Sequence, residues 1–164
     1  MKEDARKARN AQRMTELFPT YAARLKRVIK RLEDAGLRPR IQDAWRSPED
    51  QLKAYNSGNS KLKYGYHNVT GANGRKEALA VDLLDDDFPT NSRKSYLLQL
   101  AAAAAAEGLN TGIRWGVPDN LIGAIDQAIA AKNWKANVHI GWDPTHTETT
   151  GVTVDQAENG KRPA

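Results

Sequence analysis

The sequence predicts an α+β fold, in which a small antiparallel sheet packs against several helices. In the longer periodic segments, apolar residues recur at three- and four-residue spacing, which is the period of a helix. In the shorter segments they alternate with polar residues, which is the period of a strand. The chain of 164 residues corresponds to one compact domain. It has no run of the roughly 20 apolar residues that a membrane span needs. It also has no cysteine, which excludes disulfides and cysteine-ligated metal centres.

Helix start and stop signals define four amphipathic or capped helices. Ser47 is a good N-cap and Pro48 suits the first helical position, so a helix begins there and ends near Gly58. The others are expected over 19–36, from Asn91 or Ser92 to Gly108, and over 121–132. The helix that starts at Pro19 has a regular apolar face, formed by Tyr21, Leu25, Val28, Ile29 and Leu32.

Three short strands are expected, over 40–45, 79–84 and 137–142. The long segment 56–76, rich in Gly, Asn, Ser and Lys, is predicted to be a surface loop, and long ordered loops are usually functional. The predicted domain covers residues 1–150 and begins with a basic helical lead-in over 1–18. Residues 151–164 have little apolar content and are expected to form a flexible tail.

The positive charge is concentrated near the N-terminus. Residues 1–40 contain 12 of the 25 basic side chains but only 5 of the 20 acidic ones. Such a segment attracts polyanions, whether nucleic acid, anionic lipid head groups or cell-envelope polymers. Residues 1–30 lack the apolar region and cleavage site of a secretory signal peptide, so we expect synthesis in the cytoplasm and a different route of release.

Three side chains are candidates for a metal site. Asp82 lies inside the apolar strand 79–84, where a carboxylate is costly unless it is paired or binds a cation. His67 precedes that strand, and His139 lies between two apolar residues of the last expected strand. Two histidines and one carboxylate form a ligand set of catalytic zinc sites. Alternatively, Asp82 caps a loop and both histidines are ordinary polar residues.

The remaining polar and aromatic candidates are given structural or surface roles. His146 lies in a polar, Thr-rich stretch and is expected to be a solvated surface residue. The acidic run 85–87 is expected to form a solvated turn rather than a cation site. Buried structural roles are favoured over a position in the wall of a groove for Trp115, Trp134 and Trp142.

Several segments, in this order, resemble the zinc peptidoglycan peptidases. That family includes D-alanyl-D-alanine carboxypeptidases, vancomycin-resistance dipeptidases and phage L-alanyl-D-glutamate endolysins. Its pattern is S-x-H-x-x-G-x-A-x-D, followed by an acid three residues before a final histidine. Tyr64 to His67 resembles the start of the pattern and Ala78 to Asp82 its end, with 14 residues between the two ligands instead of six.

Two further segments extend this resemblance to about residues 20–145. Ala44 to Ser47, with Gln51, is similar to the family's Tyr-Arg-Ser turn and the glutamine that follows it. Gly112 to Gly116 resembles the Gly-Leu-x-Trp-Gly element of the endolysin branch.

The resemblance implies a zinc peptidase fold of the Hedgehog and D-Ala-D-Ala-peptidase type. It implies that His67, Asp82 and His139 hold zinc and that Arg46 neutralises the oxyanion at the scissile carbonyl. The substrate-binding residues on this interpretation are Ser47, Gln51 and Trp115. From the residues alone, Arg46 could instead pair with a surface acid such as Glu49.

One position departs from the family pattern. The general base should stand three residues before the last ligand, which is Ala136, and a methyl group accepts no proton. Loss of a general base typically lowers the rate about 10²–10⁴-fold. The favoured explanation is deliberate replacement of an acid by alanine. The others are a natural pseudoenzyme that binds wall peptides and a substitute acid such as Glu77 or Asp143.

The resemblance implies a monomeric zinc endolysin that cleaves the L-Ala–D-Glu bond of the peptidoglycan stem peptide. It would act on the cell wall after holin-type release, lysing the bacterial host with antimicrobial effect, and would be inactive or weak because of Ala136. The basic N-terminus would contact anionic envelope components. Alternatives are a D-Ala-D-Ala carboxypeptidase and a non-catalytic zinc-containing wall-binding module. A nucleic-acid binder is less favoured because it leaves Asp82 and the histidines unexplained.

Overall fold

The computed structural model describes all 164 residues as an α+β domain with six helices and one four-stranded antiparallel sheet, which confirms the predicted fold class. The helices are α1 (Glu3–Met14), α2 (Pro19–Asp34), α3 (Pro48–Asn56), α4 (Lys94–Ala106), α5 (Asp119–Ala130) and α6 (Val154–Glu158). The strands are β1 (Pro39–Asp43), β2 (Ala80–Asp85), β3 (Asn110–Gly112) and β4 (Asp143–Glu148). Not one of the helices has the length and apolar character required to cross a bilayer.

The sheet has the strand order β1-β2-β4-β3, so β2 and β4 are its central strands. Helices α2 and α4 pack against each other and against the sheet, and together they enclose the hydrophobic core. Because side chains alternate along a strand, Val81 and Leu83 of β2 enter this core while Asp82 faces the other way. That alternation places Asp82 on the face of the sheet opposite the core.

The four expected helices are present in the structure, but α4 begins at Lys94 with Arg93 as its N-cap, and not at the expected Asn91 or Ser92. The predicted apolar face of α2 is buried at all five positions. Ser47 caps α3, because its hydroxyl oxygen accepts a hydrogen bond from the Asp50 amide at 3.0 Å, and Pro48 occupies the first turn. Strands β1 and β2 lie within one or two residues of the segments that alternation indicates.

The expected strand over 137–142 is wrong. That segment is irregular, with the Gly141 amide donating to the carbonyl of Ile113 at 2.7 Å, while Val138 and Ile140 pack on the core from a loop. The last strand is β4, in the Thr-rich segment that was expected to be polar surface. β-Branched threonines suit a strand, and β4 has hydrogen-bonded neighbours on both sides.

The C-terminal segment, expected to be a flexible tail, packs against the domain. It contains α6, which Thr153 and Gln156 cap reciprocally. Val152 and Ala157 are buried, and Arg162 pairs with the buried carboxylate of Glu77 at 3.2 Å.

The acidic run 85–87 is not a solvated turn. Asp85 and Asp86 are buried, Asp85 within 2.7 Å of Arg93 and Asp86 within 3.0 Å of Arg40. Buried carboxylates need such partners because desolvation of an unpaired charge is expensive. Arg40 and Arg93, which pair with the run, are therefore part of the fold.

Helix α1 is docked on the domain instead of forming an exposed lead-in. The Arg6 side chain is fully buried and donates to the carbonyl of Pro39 and to the carboxylate of Glu33, both at 2.6 Å. Much of the positive charge of residues 1–40 is engaged in the same way. Most of the arginines in this segment form ion pairs with carboxylates or donate hydrogen bonds to backbone carbonyls. Lys7 and Lys26 form no ion pair.

Replacing Arg6 with methionine should therefore destabilise the protein by about 3 kcal/mol, because it leaves the Glu33 carboxylate without its donor and removes one of the donors to the Pro39 carbonyl, which Asn10 also contacts. The free energy of unfolding is measured by urea denaturation, monitored by circular dichroism. Lys7→Ala is the matched control on the same helix and should change the free energy of unfolding by less than about 0.5 kcal/mol. Equal stability of the two variants would show that α1 does not depend on this contact.

Candidate metal centre

The structure brings His67, Asp82 and His146 together, with one possible ligand atom from each lying within 4.8 Å of the others. Asp82 and His146 are register partners across the β2–β4 pair. One oxygen of Asp82, Oδ1, lies 3.6 Å from Nδ1 of His146 and 3.8 Å from Nε2 of His67. The sheet therefore supplies two members of the group, and the loop before β2 supplies the third.

Backbone contacts hold His67 in position. Its ring nitrogen Nδ1 lies 2.7 Å from the carbonyl oxygen of Ala44, which directs the other nitrogen, Nε2, at Asp82. The carbonyl of His67 accepts from the Arg46 amide at 2.9 Å. The preceding carbonyl, of Tyr66, accepts from the Leu79 amide at 3.0 Å. The loop is thus joined to the segments leading out of β1 and into β2.

His146 is oriented by its own strand. Its Nε2 lies 2.8 Å from a carboxylate oxygen of Glu148, two residues further along the same face of β4. This contact leaves Nδ1 directed at Asp82. Metal-binding histidines commonly use their second nitrogen in this way, to contact a carbonyl or a carboxylate that fixes the ring. Both histidines of this group have such a partner.

Burial and charge act differently on the three groups. Burial lowers the pKa of His67, although the Asp82 charge opposes this. Burial alone would also lower the pKa of His146, but interactions with Asp82 and Glu148 outweigh it and raise the pKa to about 9. For Asp82, burial favours a raised pKa, but the His146 ring and the neighbouring positive charges lower it overall. In the metal-free protein at neutral pH, His67 is neutral, Asp82 is ionised and His146 carries the proton.

The donor set suits a zinc ion. Two ligands of one tetrahedral zinc lie about 3.4 Å apart, given zinc–ligand distances of about 2.0–2.1 Å. The separations of 3.6 and 3.8 Å from Asp82 to the two imidazoles are close to that value. Two further carboxylates, Asp143 and Glu148, line the same cavity, so the local charge favours a cation.

The group lies at the wall of a cavity of about 580 Å³ on the face of the sheet opposite the core. Arg46 and Gln51 line one part of it, and Trp115 and Trp142 another. Asp143 also lines it, with Oδ2 3.9 Å from Nδ1 of His146. Burial, aided by the Asp82 charge, raises the pKa of Asp143. A molecule that enters the cavity therefore meets the candidate metal-binding atoms and an acid of raised pKa together.

The structure does not bring His139 to this group, and His146 takes that place. His139 is exposed in the irregular segment before β4, whereas His146, expected to be solvated, is 9% exposed. The threonines around His146 are typical of a strand and were the available signal. The acid spacing of the family pattern gives a second signal, since Asp143 stands three residues before His146. Ala136, three residues before His139, packs against the core instead of lining the cavity.

Of the other predicted site residues, some line the cavity and some do not. Arg46 and Gln51 line the cavity and are joined by a 3.1 Å hydrogen bond from the Arg46 guanidinium to the Gln51 side-chain oxygen. Trp115 packs on His146 with ring centroids 5.1 Å apart. Ser47 does not line the cavity and serves as the cap of α3. Glu77, a candidate substitute acid, is paired with arginines elsewhere.

Comparisons with known proteins place this fold among solved structures. No protein-family profile matches the sequence, and no curated protein matches it. The crystal structure of the L-Ala D-Glu endopeptidase ChiX from Serratia marcescens matches with a TM-score of 0.53, over 87% of each chain and at 16% identity. The two chains share a fold.

Removing His146 should abolish tight zinc binding, because it takes away one of the three ligand atoms that converge. We expect His146→Ala to bind no stoichiometric zinc after dialysis, measured by elemental analysis of folded protein. The matched control is His139→Ala, which should retain the wild-type content. Loss of zinc from the His139 variant, with retention by the His146 variant, would show that the geometry described here is not the metal site.

Zinc binding should release close to one proton at pH 7. His146 has a pKa of about 9 in the metal-free protein, so it is protonated at pH 7 and must lose that proton to become a ligand. The apparent affinity should rise about tenfold per pH unit up to about pH 9 and level off above it. Calorimetry in buffers of different ionisation enthalpy measures the proton release. No release at pH 7 would mean that His146 is already neutral or is not a ligand.

Proposed function

We propose that this protein is a zinc-dependent peptidoglycan peptidase that cleaves the L-Ala–D-Glu bond of the stem peptide, with Asp143 as its general base. The observation that carries the proposal is the position of Asp143. It lines the cavity beside the His67, Asp82 and His146 group and stands three residues before His146. The shared fold with an L-Ala D-Glu endopeptidase supports the choice of substrate and bond.

His67, Asp82 and His146 are the residues that would hold the zinc ion. When bound, zinc supplies Lewis-acid chemistry that polarises a carbonyl and lowers the pKa of a water molecule to about 7. Ala44 and Glu148 keep the two imidazole rings in the orientation that this requires. These ligands stand on central strands or are tied to them, so the site is rigid before the substrate arrives.

Asp143 moves the proton. The attacking water gives its oxygen to the carbonyl carbon and one proton to the Asp143 carboxylate. When the C–N bond breaks, the same carboxyl delivers that proton to the departing amine. Burial raises the pKa of Asp143, which brings the carboxyl nearer to the value at which it both accepts and returns a proton efficiently.

Arg46 is positioned to stabilise the negative charge that develops on the carbonyl oxygen. Its guanidinium lines the cavity and donates to the side-chain oxygen of Gln51. The Gln51 amide nitrogen is fixed in turn by Ser60 Oγ at 2.8 Å and the carbonyl of Leu62 at 2.7 Å. A donor held in place before the reaction stabilises an oxyanion more effectively than one that must reorganise. Gln51 therefore acts by orienting Arg46.

The explanation of Ala136 as a lost general base is replaced in this proposal. With His146 as the third ligand, the acid position of the family pattern is occupied by Asp143, and nothing is missing at position 136. We therefore propose that the chain is an active enzyme as it stands. The signal that misdirected the sequence interpretation was the apolar alternation around His139.

Replacing the general base should lower peptidase activity by about 10²–10⁴-fold, so we expect this loss in Asp143→Asn at unchanged zinc content. The assay is digestion of purified muropeptides with zinc present, read by mass spectrometry. Ala136→Asp is the matched control and should give no gain in rate, since position 136 does not line the cavity.

The products of that digest also test the bond. Cleavage at L-Ala–D-Glu and cleavage at the terminal D-Ala–D-Ala bond give fragments of different mass. Absence of cleavage by zinc-loaded wild-type protein would favour a non-catalytic wall-binding module. A large gain from Ala136→Asp would instead return the base to position 136.

The cellular role that we propose is lysis of a bacterial host by a monomeric phage enzyme that reaches the wall after release from the cytoplasm. Its support is the resemblance of residues 112–116 to the endolysin element. The proposed contact with anionic envelope components has narrower support than the charge count suggested. It rests on Lys7 and Lys26, which form no ion pair and border a groove between α1 and α2 whose lining includes Met14 and Ile29.

A further inference from the structure

Trp142 is exposed at the edge of the candidate active site. Its exposed fraction is 68%, the highest among the large hydrophobic side chains of the chain. The sequence favoured a buried structural role for it, and the structure corrects that interpretation. An indole left in water forgoes a large hydrophobic gain and contributes little to folding from that position. Its location beside the metal ligands gives it a different use.

The backbone that carries the exposed indole is fixed by close contacts. The Trp142 amide donates to the carbonyl of Trp115 at 3.0 Å, and the Gly141 amide before it donates to Ile113. A Cβ on Gly141 would lie 2.6–2.7 Å from three backbone atoms, so only glycine allows this close approach. Gly116, at a φ of +75°, lies directly against the indole edge, where a Cβ would be 2.9 Å from Cδ1. These contacts fix the backbone at Trp142 and leave one edge of its ring against Gly116.

A series of rings connects Trp142 to the metal ligands. Its ring packs on Trp115 with centroids 5.6 Å apart, and Trp115 packs on His146 at 5.1 Å. Asp143, the proposed general base, is the next residue in the chain. A group that packs on the Trp142 indole is therefore separated from His146 by the Trp115 ring alone.

We propose that Trp142 is a stacking platform for a sugar ring of the glycan strand to which the stem peptide is attached. This inference rests on the proposed function. The stem residues next to the cleaved bond are alanine and glutamate, which offer no large apolar surface to an indole. A pyranose ring does, because one of its faces is formed by C–H groups that pack on an aromatic ring. A carbohydrate is therefore the part of the substrate that matches an exposed tryptophan on a fixed backbone.

The reach of the substrate agrees with this placement. The L-Ala residue is joined to the sugar through a lactyl ether, so the cleaved carbonyl and the sugar are separated by about two residue lengths, or about 7 Å. The two centroid separations, 5.1 and 5.6 Å, set an upper limit on the distance between the His146 and Trp142 rings, and about 7 Å lies below that limit. With the carbonyl beside the candidate metal ligands, the sugar is therefore within reach of Trp142, which lines the same cavity.

The test compares two substrates that share the same cleavable bond. One is a muropeptide with its disaccharide attached, and the other is the same stem peptide without sugar. Wild-type protein should cleave the glycan-linked substrate with a kcat/KM about tenfold higher, mainly through a lower KM. Trp142→Ala should remove this preference, and Trp142→Phe should retain most of it. The control, Leu121→Ala, changes an exposed apolar residue outside the cavity and should leave the preference unaltered.

Each result decides the inference separately from the proposed function. Equal cleavage of the two substrates by wild-type protein would overturn the sugar platform, as would a loss in Trp142→Ala that is the same on both. If wild-type protein cleaves neither substrate, the proposed function fails. Calorimetric titration with the peptide-free disaccharide then tests the platform alone. Binding that is lost in Trp142→Ala supports it, and no binding by wild-type protein overturns it.

Discussion

The pairing of Asp82 with His146 across the two central strands is the contact on which the site depends. A carboxylate on a central strand has to be balanced, and its register partner supplies an imidazole 3.6 Å away while His67 supplies another. A shift of one residue in the β2–β4 register would turn His146 into the core and separate the group. The ladder that holds the sheet together therefore also sets the spacing of the proposed zinc ligands.

Most of the fold was predictable because its signals are local. The apolar face of α2 and the Ser47 cap of α3 each lie within a few turns of chain, and both correspond to structure. Docking of α1 was missed because Arg6 appears polar in sequence, and only the tertiary structure supplies its partners Pro39 and Glu33. The C-terminal segment was missed for the same reason, since Arg162 is held by a carboxylate 85 residues away in the chain.

The site was half predictable. Asp82 stood out because a carboxylate in an apolar strand needs a reason, and His67 because it precedes that strand. His146 did not stand out, since β4 is built from polar threonines and is central through its hydrogen-bonded neighbours rather than through apolar content. The alternation of apolar and polar residues around His139 suggested a strand. In the structure this segment is irregular, and its Gly141 amide bonds to the Ile113 carbonyl. Strand pairing is non-local, and no short window of sequence contains it.

The contacts of α1 also change the outer edge of β1, the border strand of the sheet. Asn10 imitates a neighbouring strand, accepting from the Ile41 amide and donating to the carbonyl of Pro39, both at 2.9 Å. Arg9 donates to the Ile41 carbonyl at 2.9 Å, and Arg13 to that of Gln42 at 3.0 Å. The backbone groups through which a second chain would add to the sheet are thus already occupied by side chains. Intermolecular strand addition, a common first step of aggregation, has no free template at this border.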